Sequence, residues 1–258
     1  MTYSEMLQKI NDAKTAYYQT GRSNLTDAEY DRLVLQAEKL GYIETVGAAP
    51  VDSIKKIEHE HPMLSLDKCH SVEEVLEFAG DYDILAMYKA DGLTMSATYQ
   101  DGVLVRLETR GDGVVGNDIM FHANSIENLP KYINKAGRYV IDGECIILLS
   151  DFASINEKLA DSEKYSHARN LAAGSLNQLN PEISKKRHLR FYAWDIIEGG
   201  NYLSLSDNLN EAADLGFDIV NYAVVSNNTN DHICSTIDYI KLMSENATFP
   251  IDGIVFKF

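Results

Sequence analysis

The sequence predicts an α+β fold in which a small helical unit precedes a larger sheet-rich one, and three patterns carry that expectation. Apolar residues recur at helical spacing through the first forty positions. From Met63 onward the pattern becomes mixed helix and strand, with alternation at strand spacing from Leu93. The strands are not regularly separated by helices, which argues against a doubly wound sheet. The chain has 258 residues, enough for one large domain or two unequal ones, and its 45% of hydrophobic residues supply a core.

Residues 4–41 read as a helical hairpin. Met6, Ile10, Ala13 and Tyr17 lie on one helix face. Gly21-Arg22-Ser23-Asn24 breaks the pattern. Thr26 and Glu29 then have the spacing of a capping box, in which each side chain satisfies the other residue's backbone N–H. Tyr30, Leu33, Val34, Ala37 and Leu40 form the expected buried stripe, and Gly41 is the expected stop. So short a hairpin has little core of its own and should rest on another part of the chain. Residues 42 to about 62 show no period and read as a linker, so the expected division is 1–45 and 46–258.

In the larger unit, residues 93–99 and 103–107 alternate around Asp101-Gly102, a strong hairpin turn. Residues 139–149 form an apolar strand region interrupted by Asp142-Gly143-Glu144, and residues 189–197 and 251–258 are further strands. There is no repeat and no low-complexity tract.

Charge and cysteine usage exclude several function classes. The formal net charge is −16, with 23 Lys and Arg against 39 Asp and Glu, so the whole surface does not serve as a nucleic-acid sink. The one basic cluster, Lys185 to Arg190, reads as a solvated face or a patch for DNA phosphates. Cys69, Cys145 and Cys234 are widely spaced, which gives neither a zinc motif nor a disulfide framework. No apolar run approaches the ~20 residues of a membrane helix, and no signal peptide precedes the hairpin, so the expected location is cytoplasmic.

Lys89-Ala90-Asp91-Gly92 is either an exposed turn or a nucleophilic amine. A lysine attacks only when deprotonated, which calls for burial or neighbouring cations. Asp91 could orient the amine, and Gly92 could admit a phosphate to the backbone. Thr109-Arg110-Gly111-Asp112-Gly113 is a glycine-rich loop suited to a polar ligand. Glu144 is either a strand-end charge or a buried acid holding a metal or a ribose hydroxyl. Lys257 is either a snorkelling edge residue or a contact to a phosphate or base.

In this order, Lys89-x-Asp-Gly, Gly143-Glu144 and Asp252-Gly-Ile-Val-Phe-Lys257 resemble motifs I, III and IV of the covalent nucleotidyltransferases. His61-Pro-Met-Leu-Ser-Leu-Asp67, Thr109-Arg-Gly-Asp-Gly113 and Ala168-Arg-Asn-Leu-Ala-Ala-Gly-Ser-Leu-Asn-Gln-Leu-Asn-Pro181 are similar to signature segments of NAD-dependent DNA ligases. Leu25-Thr-Asp-Ala-Glu-Tyr-Asp-Arg-Leu33 resembles the N-terminal domain of that branch, and argues against an ATP-using ligase or capping enzyme.

The resemblance implies a helical NMN-recognition domain followed by a nucleotidyltransferase domain of ATP-grasp-like antiparallel sheets and helices. It implies that Lys89 takes AMP from NAD, releases NMN, and passes AMP to nicked DNA. Tyr17, Tyr18, Asp27, Tyr30 and Asp31 match the NMN contacts, and two adjacent Tyr with two Asp exceed what a hairpin core needs, the lesser reading for Tyr17 and Tyr30. Asp91 and Glu144 match contacts to ribose, lysine and metal, with Glu144 the metal ligand. Arg110 and Arg169 lie near the phosphates, and Ser65 and Leu66 line the adenylate pocket. Trp194 matches an aromatic stacked on adenine or is a core residue, and Lys257 matches a contact to adenine or phosphate. Magnesium is the implied ion.

Three positions depart from the family pattern: Met87 replaces an acid, and Asn177 and Ser244 stand where arginines are expected. Each departure removes a charge-assisted contact. The family continues into a motif V lysine, an oligonucleotide-binding barrel, a zinc module and helix-hairpin-helix repeats. Nicked DNA is therefore expected to bind through such segments or through a second subunit. The alternative is a degenerate NAD-binding or assembly subunit of a split ligase.

Overall fold

The computed structural model describes residues 2–20, 25–40, 54–200, 204–226 and 228–258. In chain order the elements are α1 (Tyr3–Thr20), α2 (Asp27–Glu38), β1 (Lys56–Glu58), α3 (Val72–Ala79), β2 (Ile84–Ala90), β3 (Leu93–Gln100), β4 (Val103–Thr109), β5 (Val115–Asn117), β6 (Arg138–Ile147), α4 (Leu149–Glu157), α5 (Ala168–Leu176), α6 (Pro181–Lys185), β7 (Leu189–Glu198), α7 (Leu205–Asp214), β8 (Asp218–Ile219), β9 (Tyr222–Val225), α8 (Asn230–Ser244) and β10 (Ile251–Lys257). The α+β expectation holds.

The reciprocal cap opens α2: Thr26 Oγ1 accepts the Glu29 N–H, and the Glu29 carboxylate accepts the Thr26 N–H. Met6, Ile10, Val34 and Ala37 form a small core, with Leu7, Tyr30 and Leu33 packed on it. Leu40 is 60% exposed, because α2 ends at Glu38 and residue 40 no longer follows the helical stripe. The pair also leans on the rest of the chain, α1 lying against α5. The expected break at 21–24, the stop at Gly41 and residues 42–53 of the linker lie outside the described residues.

Three sheets organise the remainder. Five strands run in the order β4-β3-β6-β7-β8, three in the order β10-β2-β9, and β1 pairs with β5. All pairings are antiparallel except β7–β8. The β3–β4 turn places Asp101 and Gly102 at φ 47° and 83°, both in the left-handed region, as a two-residue hairpin of this type requires. The main core fills the five-stranded sheet around Tyr99, Ile141, Leu171 and Phe191.

β2 is the central strand of its sheet and is covered on both faces. Ala86 and Tyr88 face α3 and α8, while Leu85 and Met87 face Leu209 of α7 and Val220. A strand buried on both faces reads as a continuous apolar run, which explains residues 84–88.

Two sequence expectations need correction. β6 is not interrupted at Asp142-Gly143-Glu144, because its pairing with β3 runs in register from Arg138 to Cys145. The linker ends earlier than expected, because Lys56–Glu58 is a strand held by Val115–Asn117.

Candidate active site

Lys89 is the penultimate residue of β2, opposite Gly253 of β10. Its ammonium donates to the carboxylate of Asp252, and both side chains are about half exposed. Burial alone would raise the Asp252 carboxyl. The bond to Lys89, with Arg169 and Lys68 beyond it, instead takes it below the usual carboxylate range.

Asp91, expected to orient the amine, pairs elsewhere. It lies past the end of β2, where its N–H donates to the Pro250 carbonyl and its carboxylate sits 3.3 Å from Arg169 Nη1. Gly92 also has a different reason from the one expected. A Cβ there would stand 2.2 Å from the Cys145 carbonyl oxygen, so the glycine lets β6 pass close by.

Glu144 lies beside this pair, opposite Thr94 on β3 and Tyr192 on β7. The Thr94 hydroxyl donates to its carboxylate at 3.0 Å. Burial raises the Glu144 carboxyl to about 7, with Arg169, the Thr94 bond and Arg110 opposing in that order. In α5 every residue from Ala168 to Leu176 is buried except Arg169, which the first turn presents to Asp91. Lys89, Asp252, Asp91, Arg169 and Glu144, with Arg110 in electrostatic range, thus form one cluster of alternating charge.

His59, which the sequence reading did not single out, helps hold the glycine-rich loop in place, while His61 reaches Asp142 on β6. His59 Nδ1 is 3.1 Å from the buried Glu108 carboxylate, and its Nε2 is 2.8 Å from the Arg110 carbonyl. Burial opposes a charge on His59, but Glu108 and that carbonyl outweigh it, and its pKa is raised. The Arg106 guanidinium takes the other Glu108 oxygen at 2.6 Å. The Met63 N–H donates to Gly113, and Asp112 accepts the N–H groups of Val114 and Val115. The signal was present in the sequence: two histidines and a glutamate in a stretch without a period, next to a recognisable motif.

Lys257 lies opposite Leu85 in the β10–β2 ladder, bonds to Asp195, and has its Nζ 5.2 Å from the centre of the Trp194 ring. Trp194 is half-buried against the cluster of Leu85, Met87, Leu209 and Val220. Ser65 and Leu66 are exposed on a segment without helix or strand. Tyr30 packs on the helical core, whereas the side chains of Tyr17, Tyr18, Asp27 and Asp31 lie outside the described residues. In the basic cluster, Glu127 takes both His188 and Arg190, and Arg187 folds onto Tyr165, so much of its charge is already answered. Among the described residues, no group of three or more His, Cys, Asp or Glu could hold a metal, and no helix is long and apolar enough to cross a membrane.

Residues 51–258 match the family described as the NAD-dependent DNA ligase adenylation domain. The chain belongs to that family. It is 36% identical to a DNA ligase of Wolbachia pipientis subsp. Culex pipiens over 98% of this chain and 40% of that protein. It is 33% identical to a DNA ligase of Lachnoclostridium phytofermentans over 99% and 41%, and 35% identical to one of Ruminiclostridium cellulolyticum over 98% and 40%. The chain thus spans about two fifths of the length of these curated relatives. The match includes the whole charged cluster of the adenylation domain, from His59 to Lys257.

Proposed function

We propose that the chain performs the first step of nick sealing. The Lys89 amine attacks the α-phosphorus of NAD, a P–N bond forms, the P–O bond to NMN breaks, and NMN departs with that electron pair. The observation that carries this reading is the half-exposed amine at the end of β2, flanked by Asp252, Arg169 and Glu144, within a family of adenylation domains. Asp252 orients the amine through its hydrogen bond, and the amine's proton passes to solvent. Arg169 and Arg110 meet the phosphate charge, and Trp194 with Lys257 forms the platform for adenine and the adjoining phosphate. Tyr17, Tyr18, Asp27, Tyr30 and Asp31 of an N-terminal domain, residues 1–45, hold the NMN half, and Ser65 and Leu66 line the nucleotide pocket of the domain 46–258.

Glu144 fits a magnesium ion. Its carboxyl, raised to about 7, is only partly ionised at neutral pH, so a nearby cation would stabilise the charged form. A site with one protein carboxylate and substrate phosphates is the usual way this ion is held, which agrees with the absence of a three-acid group among the described residues. When bound, the ion neutralises the phosphates during transfer. The acceptor of AMP is nicked DNA, gripped by further ligase segments or a second subunit, in the cytoplasm.

Intact-mass measurement after incubation with NAD and magnesium tests this. One AMP should add to the wild type, none to Lys89→Ala, and none with ATP in place of NAD. An adduct persisting in Lys89→Ala refutes the nucleophile, and an equal adduct with ATP refutes the donor. A second reading, an NAD-binding or assembly subunit without chemistry, draws on Met87, which is buried in an apolar cluster where the family has an acid. It predicts no adduct under any condition.

A further inference from the structure

Asp142 and Asp195 face each other in register across β6 and β7, and both are buried, at 2% and 8% exposure. Like charges directly opposite on neighbouring strands destabilise a sheet, and burial strengthens the repulsion. Each acid therefore needs its own cation. His61 Nε2 stands 3.0 Å from Asp142 Oδ2, and the Lys257 ammonium bonds to Asp195 Oδ2. The four groups form a line of charge: His61, Asp142, Asp195, Lys257.

Three further observations give the line a direction. Among the described residues the buried Asp142 Oδ1 has no hydrogen-bond partner, so His61 answers that charge on one oxygen only and the rest of its field falls on Asp195. Burial raises the Asp195 carboxyl, Lys257 opposes this, and Asp142 adds to it. The β6–β7 register also shifts at this point: Asp142 pairs with Asp195 and Gly143 with Ala193, which leaves Trp194 as an extra residue. Such a bulge re-aims side chains, and here Lys257 touches both Asp195 and Trp194, successive residues that a regular strand would send to opposite faces.

We propose that Asp195, braced by Asp142 and His61, is a positioning residue that sets the Lys257 ammonium over Trp194, so that the 61–67 segment and Lys257 are placed together before the nucleotide arrives. The proposal rests on the adenylation reading for its benefit. Ordering a lysine side chain costs up to ~2 kcal/mol of rotamer entropy, and a site that has already met this cost binds its substrate more tightly.

Two measurements test it. Competitive reductive methylation followed by peptide mass spectrometry reads Lys257 against the exposed Lys185, whether or not NAD reacts. Asp195→Asn should label Lys257 about three- to tenfold faster, because the ammonium is no longer held against a carboxylate. His61→Gln should label it more slowly, because the Asp142 charge is then unanswered. Equal labelling in Asp195→Asn, or shifts of the same sign in both variants, overturns the proposal. Single-turnover AMP transfer supplies the second reading. In Asp195→Asn the NAD concentration for half-maximal rate should rise about tenfold, equivalent to ~1.4 kcal/mol of lost preorganisation, with the plateau rate changed far less. Asp195→Glu should restore part of the loss. A fall in that concentration would mean that Asp195 withholds Lys257, and also overturns the proposal. No AMP uptake by the wild type refutes the adenylation reading alone, and the labelling measurement still decides the positioning.

Discussion

Glu144→Gln should make the protein more stable at pH 8 while removing its capacity to take up AMP. In the folded protein the carboxyl protonates near 7 instead of 4.5, chiefly because it is buried. Between those two values the folded state holds a proton that the unfolded state has lost, so stability falls as pH rises through that window. At ~1.4 kcal/mol per pH unit, full ionisation costs about 3 kcal/mol, less whatever relaxation the half-open site allows. Glutamine keeps the acceptor for the Thr94 hydroxyl, now 3.0 Å from the carboxylate, and carries no charge to desolvate. Urea melts at pH 5 and pH 8 measure the difference. The variant should gain about 2–3 kcal/mol on the wild type over that interval, or roughly 5–10 °C in a thermal melt of a domain this size. A gap that does not change with pH, or a variant less stable at pH 8, refutes the assignment of Glu144 as a desolvated acid. AMP uptake at the wild-type rate by a stabilised variant would instead refute its role with the metal.

Gly92→Ala should destabilise by about 3 kcal/mol or more, since a Cβ 2.2 Å from the Cys145 carbonyl oxygen forces the β2–β3 turn and β6 apart until that contact exceeds 3.0 Å, and chemical denaturation measures it. His59→Ala should cost about 2–4 kcal/mol, because it leaves the buried Glu108 and the Arg110 carbonyl short of a partner. Its AMP uptake should need more NAD than the wild type requires, as the Arg110 loop loosens; unchanged kinetics would separate the loop from phosphate binding. Removing residues 1–45 should abolish AMP uptake from NAD, because binding energy from the NMN half is used at the reacting phosphorus. Uptake by the shortened chain at full rate would show that α1 and α2 only cover α5.

The parts of the fold most legible in the sequence were those set by local chemistry. The Thr26 cap, the Asp101-Gly102 turn and the apolar runs of β7 and β10 follow from a few neighbouring residues. What depended on distant pairing was not legible. Residues 56–58 became a strand because β5, almost sixty residues later, offered its edge. Asp91 lost its expected duty for the same reason: the acid beside Lys89 is Asp252 of β10, while Asp91 turns to α5. Motif spacing brought out Lys89, Glu144, Arg169 and Lys257, but gave no role to His59, His61, Asp142 or Asp195, whose partners come from distant strands.

The three departures bear on whether chemistry survives, and their surroundings discriminate. Met87 is 3% exposed and packs with Leu85, Leu209 and Val220. Asn177 caps the end of α5, with its side-chain oxygen 3.4 Å from Asn117 Nδ2. Ser244 closes the last turn of α8, its hydroxyl donating to the Lys241 carbonyl at 2.7 Å. Each position is satisfied without the charge that the family pattern would place there, so the fold pays nothing for the change. The retained residues are of the opposite kind. Glu144 is costly to ionise, Asp142 faces Asp195 at close quarters, and Lys89 keeps its ammonium at a half-open strand end. Stability alone would favour replacing the buried acids with apolar residues of similar size. Their presence is easier to reconcile with a ligand that repays the desolvation than with a purely structural subunit. The two readings therefore part on one comparison: if NAD with magnesium raises the melting temperature of the wild type at pH 8 but not that of Glu144→Gln, the buried acid is there for the ligand, and equal shifts in both would favour a binding subunit that no longer does chemistry.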